Sequence, residues 1–208
     1  MKTINTYINE KLQLTSKRTY TCQPKDKKEL REIILQRIKD EGPNCDLNDI
    51  DTSKITDMSY LFNVDMHNIF KNFNGNISEW DVSNVTGMSE MFFRCKKFNC
   101  DISRWNVSKV KNMNSMFLGC FDFEGDISSW NVSNVCDMGA MFYGCRQFDC
   151  NLSSWDVSKV EIISHMFCEC KRFNQDLNSW DVSQIKNMNY AFWGCPTQPT
   201  WYDKKRWE

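Results

Sequence analysis

A tryptophan returns at one interval through most of the chain: Trp80, Trp105, Trp130, Trp155 and Trp180 stand 25 residues apart. The words around it return as well, as "ISEWDVSNV", "ISRWNVSKV", "ISSWNVSNV", "LSSWDVSKV" and "LNSWDVSQI". A unit of 25 residues cannot enclose a core alone, so its apolar side must be covered by its neighbours. That requirement limits the chain to folds in which successive units pack in register.

Other apolar positions keep the same beat. They include Val85, Val110, Val135, Val160 and Ile185, and the pairs Met91-Phe92, Met116-Phe117, Met141-Phe142 and Met166-Phe167. A cysteine series, Cys95, Cys120, Cys145, Cys170 and Cys195, closes each unit. Equal recurrence favours packing, so the tryptophan and cysteine series are expected to be structural ladders. From Val110 the apolar positions run Val110, Met113, Met116, Phe117 and Cys120. Steps of three and four predict a short helix with Ser108 as its N-cap. The stretch "FNCDISRWNVS" alternates instead, which predicts a short strand with Ile102 and Val107 turned inward.

Three regions follow. Residues 1–43 form an N-terminal arm and a capping helix, residues 44–198 carry the units, and residues 199–208 form a C-terminal cap. In "KKELREIILQRIKDE", Leu30, Ile33, Ile34 and Ile38 share one helical face, and Gly42-Pro43 ends the pattern. Matching "NCDLNDIDTSKITDMSYLF" to the later units needs an offset of 30, which leaves extra residues around His67.

Composition narrows the classes of function. A net charge of -1 gives no general attraction to nucleic acid or to a membrane surface. No apolar run is long enough for a membrane helix, and the first residues lack the apolar stretch of a secretory signal. The expectation as written is a cytoplasmic chain, or a surface one if an export signal has been removed. The cysteines number 11, an odd count, and are expected to be reduced thiols. Cys168 and Cys170 lie near His165, but no second compact cysteine pair accompanies them. Neither a metal nor a cofactor is expected.

Catalysis has little to rest on. Asp51, Asp81, Asn106, Asn131, Asp156 and Asp181 share one position, each followed two residues later by serine. That pattern suits turn hydrogen bonding. His67 and His165 are the sole histidines, and neither adjoins a serine elbow or a phosphate loop. A partner-binding edge is better supported. The turn after each cysteine carries Lys96, Lys97, Phe121, Arg146, Lys171 and Arg172, and Arg94 lies beside it. A basic edge of this kind, with an aromatic anchor, points to another protein as partner rather than to nucleic acid.

The phrases "MSEMFFRCKKFNCDISRWNVSKVKNMNSMF" and "WDVSNVTGMSEMF" resemble the BspA-type leucine-rich-repeat family, a domain-of-unknown-function repeat of bacterial and mycoplasma surface proteins. The likeness joins W-[DN]-V-S, M-x-x-M-F and C-x-x-F-[NED] at one period and covers about residues 44–198. Tryptophan, valine, methionine and cysteine take the apolar roles that leucine has in the familiar repeat. The resemblance implies an α/β solenoid: an LRR-like right-handed stack of about six units of 25 residues, each a short strand plus a short helix, with an N-terminal helical cap. The expected function is a non-enzymatic protein–protein interaction scaffold. A bacterial surface adhesin or host-binding repeat protein is the first alternative, and an enzyme of unknown class the second.

Overall fold

The computed structural model describes residues 19–207. The proposed N-terminal arm therefore lies mostly outside the described residues. Helix α1 spans Lys27–Glu41. The Asp26 carboxylate caps it by accepting from the Glu29 amide at 2.9 Å. Its buried face is Leu30, Ile34 and Ile38. Gly42, at φ 90°, ends the helix while its N–H still bonds the Ile38 carbonyl.

Beyond α1 the chain corrects the expected unit. Among the described residues there is no strand; the remaining helical pieces are a 3-10 segment at Asn68–Asn72 and helix α2 at Lys204–Trp207. The LRR-like α/β solenoid is therefore not what this sequence forms. The BspA-type, leucine-rich-repeat and repeat-solenoid assignments fall with it. Backbone hydrogen bonds give the reason. Where a helix was expected, Met116, Leu118 and Cys120 donate to carbonyls three residues back, at Met113, Ser115 and Phe117. The amides between them point elsewhere. Met113, Ser115, Phe117 and Gly119 donate to Asp137, Gly139, Met141 and Tyr143, one 25-residue segment further on. An α-helix would need every amide to reach four residues back within the same segment.

Two left-handed residues complete the obstruction. Ser115 has φ 54° and Gly119 φ 72°. Glu90, Ala140, His165 and Tyr190 repeat the first, and Arg94, Gly144, Glu169 and Gly194 repeat the second. Each is the third residue of a tight turn, where a positive φ suits glycine best. An L side chain in this region costs about 1–2 kcal/mol. Ala140→Gly should therefore stabilise the protein by somewhat less than about 1 kcal/mol, after the greater freedom of unfolded glycine is subtracted. Ala140→Val should destabilise it. Urea denaturation of both variants tests the sign, and a loss of stability in the glycine variant would contradict the turn assignment.

The expected strand is also replaced by turns. Asp101 and Asn106 each accept from the amide of the serine two residues on, at 3.0 and 3.2 Å. Asn112 accepts from the Asn114 amide at 2.8 Å. Such Asx turns fold the backbone back too often for an extended run. Ser108 accordingly serves no helix: its hydroxyl donates to Asn106 at 2.7 Å. What remains of β pairing among the described residues is a set of isolated parallel bridges: a ladder through Asp57, Gly87, Asn112, Asp137, Ile162 and Asn187, with Cys22–Ile50 and Asp46–Asn76 at the N-terminal end.

The serine partners also set the charge of these turns. At Asp101 the Ser103 amide, and at Asp126 and Asp156 the hydroxyls of Ser128 and Ser158, hold the carboxyl below its ordinary value. A lowered folded-state value contributes stability that is complete above the unfolded value, about 3.9, and is lost as pH falls through the folded one. The stability gap between wild type and Ser128→Ala should thus be wider at about pH 6 than at about pH 3. Calorimetry at the two pH values measures it; an equal gap would mean that Ser128 does not act through the Asp126 carboxylate.

The core is one aromatic and aliphatic column. Phe92, Phe117, Phe142 and Phe167 stack on their successors at 5.6, 5.8, 5.6 and 5.3 Å between centroids. Each also lies against the phenylalanine that follows the cysteine, as Phe117 does on Phe123 at 4.3 Å. Trp201 covers the C-terminal end, 6.5 Å from Trp180, with its Nε1–H donating to the Leu177 carbonyl. No helix among the described residues is long and apolar enough to cross a membrane.

Candidate functional site

The tryptophan and cysteine series point inward. Trp80, Trp105, Trp130, Trp155 and Trp180 are buried. Each Nε1–H donates to a backbone carbonyl of the preceding segment, as Trp130 does to Ile102 at 3.1 Å. The cysteines do the same with sulfur: Cys120 Sγ donates to the Phe92 carbonyl and Cys145 Sγ to the Phe117 carbonyl, both at 3.0 Å. Burial pushes the thiols of Cys95, Cys120, Cys145 and Cys170 up, and that of Cys195 to about 12. They are held protonated, as donors. Among the described residues no group of three or more His, Cys, Asp or Glu side chains is placed to hold a metal ion.

The two turns that contain Gly119 and Gly144 face outward and together form a cleft of about 440 Å³. The two glycines are its floor. A Cβ on Gly144 would meet nothing nearer than a Phe121 ring carbon at 3.9 Å, so a side chain there would stand in the cleft itself. Leu118 and Tyr143 line the cleft beside them, with Lys96, Phe121 and Arg146, and Arg94 and Glu169 complete the lining. Lys96, from the preceding segment, places Nζ 5.2 Å from the Phe121 ring centroid. Arg146, from the following one, places Cζ 4.4 Å from the same centroid. Both are cation–π contacts.

The remaining charges of the site are balanced. Arg94 pairs with Asp65 at 3.0 Å, and Lys171 with Glu169 at 2.5 Å. Among the described residues no carboxylate pairs with Lys96 or Arg146. Of the basic edge read from the sequence, then, Arg94, Lys96, Phe121 and Arg146 share one cleft, and Lys171 is tied to its rim through Glu169. Lys97 and Arg172 stand elsewhere. Lys97 pairs with Asp122 at 2.9 Å beside Asn74 and Asn99. Arg172 bonds Gln147 at 2.8 Å in a hollow that also holds Glu124, Asp126 and Asp149.

The sequence reading overlooked Leu118, Gly119, Tyr143, Gly144 and Glu169. It also overlooked the aromatic groups beyond them. Tyr190 and Trp193 are exposed, and His165 stacks on Tyr190 at 5.3 Å and lies 6.3 Å from Tyr143. A signal existed: Phe93, Leu118, Tyr143, Cys168 and Trp193 share the position after the recurring phenylalanine, and it changes more freely from segment to segment than the tryptophan and cysteine positions do.

A family model described as "Mycoplasma protein of unknown function, DUF285" matches residues 35–151 and 101–204. No curated protein and no solved structure matches the chain.

Proposed function

The chain belongs to the DUF285 family, and on that premise we propose that it is a surface-associated recognition protein, an adhesin in kind, that holds a protein partner in the cleft over Gly119 and Gly144. This places the surface reading ahead of the generic interaction scaffold. One observation carries it: Lys96 and Arg146 lie over the Phe121 ring with no carboxylate partner among the described residues, beside a strip of exposed rings. Cations left unpaired next to aromatic surface are the raw material of an interface, where arginine and aromatic residues dominate binding energy. The proposal assigns no chemical step. His165 is engaged with tyrosine rings and His67 with Phe70, and the turn carboxylates are committed to serine.

Labelling of intact cells of the source with a membrane-impermeant amine reagent tests the location. The chain should be labelled before lysis at the level seen after it. Labelling only after lysis would return the chain to the cytoplasm and overturn the adhesin reading.

A further inference from the structure

We infer that the cleft takes an extended acidic peptide in which carboxylate and apolar side chains alternate; this rests on the recognition reading above. The two sides of the cleft differ. Leu118 and Tyr143 offer apolar surface, and Lys96, Phe121 and Arg146 offer cations on a ring. Between them the floor at Gly144 leaves room for a backbone, while at Gly119 the Arg94 side chain lies 3.4 Å from where a Cβ would stand. In an extended chain successive side chains point to opposite sides. A segment lying along the floor thus presents one set to the apolar wall and the other to the cations. The cleft runs across three steps between segments, from Arg94 to Glu169. At about 4.8 Å per step this is roughly 14 Å, the length of about four extended residues. The pattern that fits is acid, apolar, acid, apolar.

Other anions fit less well. A sugar needs amides, carboxylates or hydroxyls aimed at its hydroxyl groups. The lining holds no amide side chain, its one carboxylate, Glu169, is paired with Lys171, and its one hydroxyl, that of Tyr143, is bonded to the Cys168 side chain. A nucleic acid needs a longer track of phosphate contacts than three cations give, and Arg94 is already paired with Asp65.

The test is fluorescence anisotropy of the whole protein with the labelled peptide Glu-Leu-Glu-Leu. Its controls are Gln-Leu-Gln-Leu and the same composition in blocks, Glu-Glu-Leu-Leu. The alternating acidic peptide should bind several-fold more tightly than the block peptide, and the amide peptide should not bind. Lys96→Glu and Arg146→Glu should each weaken binding by at least about tenfold, equivalent to about 1.4 kcal/mol. Lys186→Glu should leave it within about twofold, because that ammonium pairs with Glu161 outside the cleft. Circular dichroism midpoints confirm that each variant is folded. Equal binding of the alternating and block peptides would overturn the inference. So would charge reversals without effect, or a sulfated oligosaccharide that outcompetes every peptide. If the peptides fail while Tyr143 still cross-links a partner on cells, the ligand class is wrong and the recognition reading stands.

Discussion

Phe117→Ala is expected to cost about 3–5 kcal/mol, a large part of the stability of a domain this size. The ring is fully buried and touches rings on three sides: Phe92 at 5.6 Å, Phe123 at 4.3 Å and Phe142 at 5.8 Å. Truncation leaves a cavity inside the column. The backbone around it cannot collapse easily, because the Phe117 amide is fixed to Met141 and its carbonyl receives the thiol of Cys145. Phe117→Leu should lose much less, since it keeps most of the volume. Denaturant titration separates the two; a Phe117→Ala loss under about 1 kcal/mol would mean that the stacked rings do not form the core.

Trp130→Ala should fall in the same range, about 3–5 kcal/mol, and for two reasons that can be separated. The indole is buried, and its Nε1–H satisfies the Ile102 carbonyl of the segment before. Trp130→Phe keeps a ring but leaves that carbonyl with the Trp105 amide as its remaining donor, at a cost of about 0.5–1.5 kcal/mol. The alanine variant should therefore lose more than the phenylalanine variant. Equal losses would place the whole effect in the hydrogen bond, and no loss in Trp130→Phe would show that the Trp105 amide alone satisfies the carbonyl. The same pairing recurs at Trp80, Trp105, Trp155 and Trp180, so the recurring tryptophan is a bond between segments as much as a filler.

The spacing of the segments was legible in that tryptophan, but their local structure was not. Val110, Met113, Met116, Phe117 and Cys120 return inward by threes and fours. A helix does this, and so does a run of turns closed three residues back. What separates the two is the sign of φ at positions such as Ser115, Ala140 and His165, which share no residue type. Glycine at 119, 144 and 194 was the visible trace of the second left-handed position, yet Arg94 and Glu169 in the same register obscured it. Segment 27–41 was clearer, because a charged chain with one apolar face has few other ways to bury it.

The site was half legible for a related reason. Lys96, Phe121 and Arg146 follow the cysteine, where a turn was expected and exposed cations stand out. Lys97 and Arg172 stand one residue further along the turn, after Lys96 and Lys171, and adjacent residues of a turn diverge, so both have acidic or amide neighbours outside the cleft. Leu118 and Tyr143 precede the cysteine. Read as part of a helix, their position carries no suggestion of a wall.

The surface around Tyr143 is the proposed place where a partner is held. A photo-cross-linking side chain placed at Tyr143, which lines the cleft, tests it most directly against the same group at Asn131, exposed and outside the lining. On intact cells irradiated with their partners, the Tyr143 position should yield a discrete protein adduct that Arg146→Glu abolishes, and the Asn131 position should yield none. Equal adducts at both positions, or none at Tyr143, would contradict it.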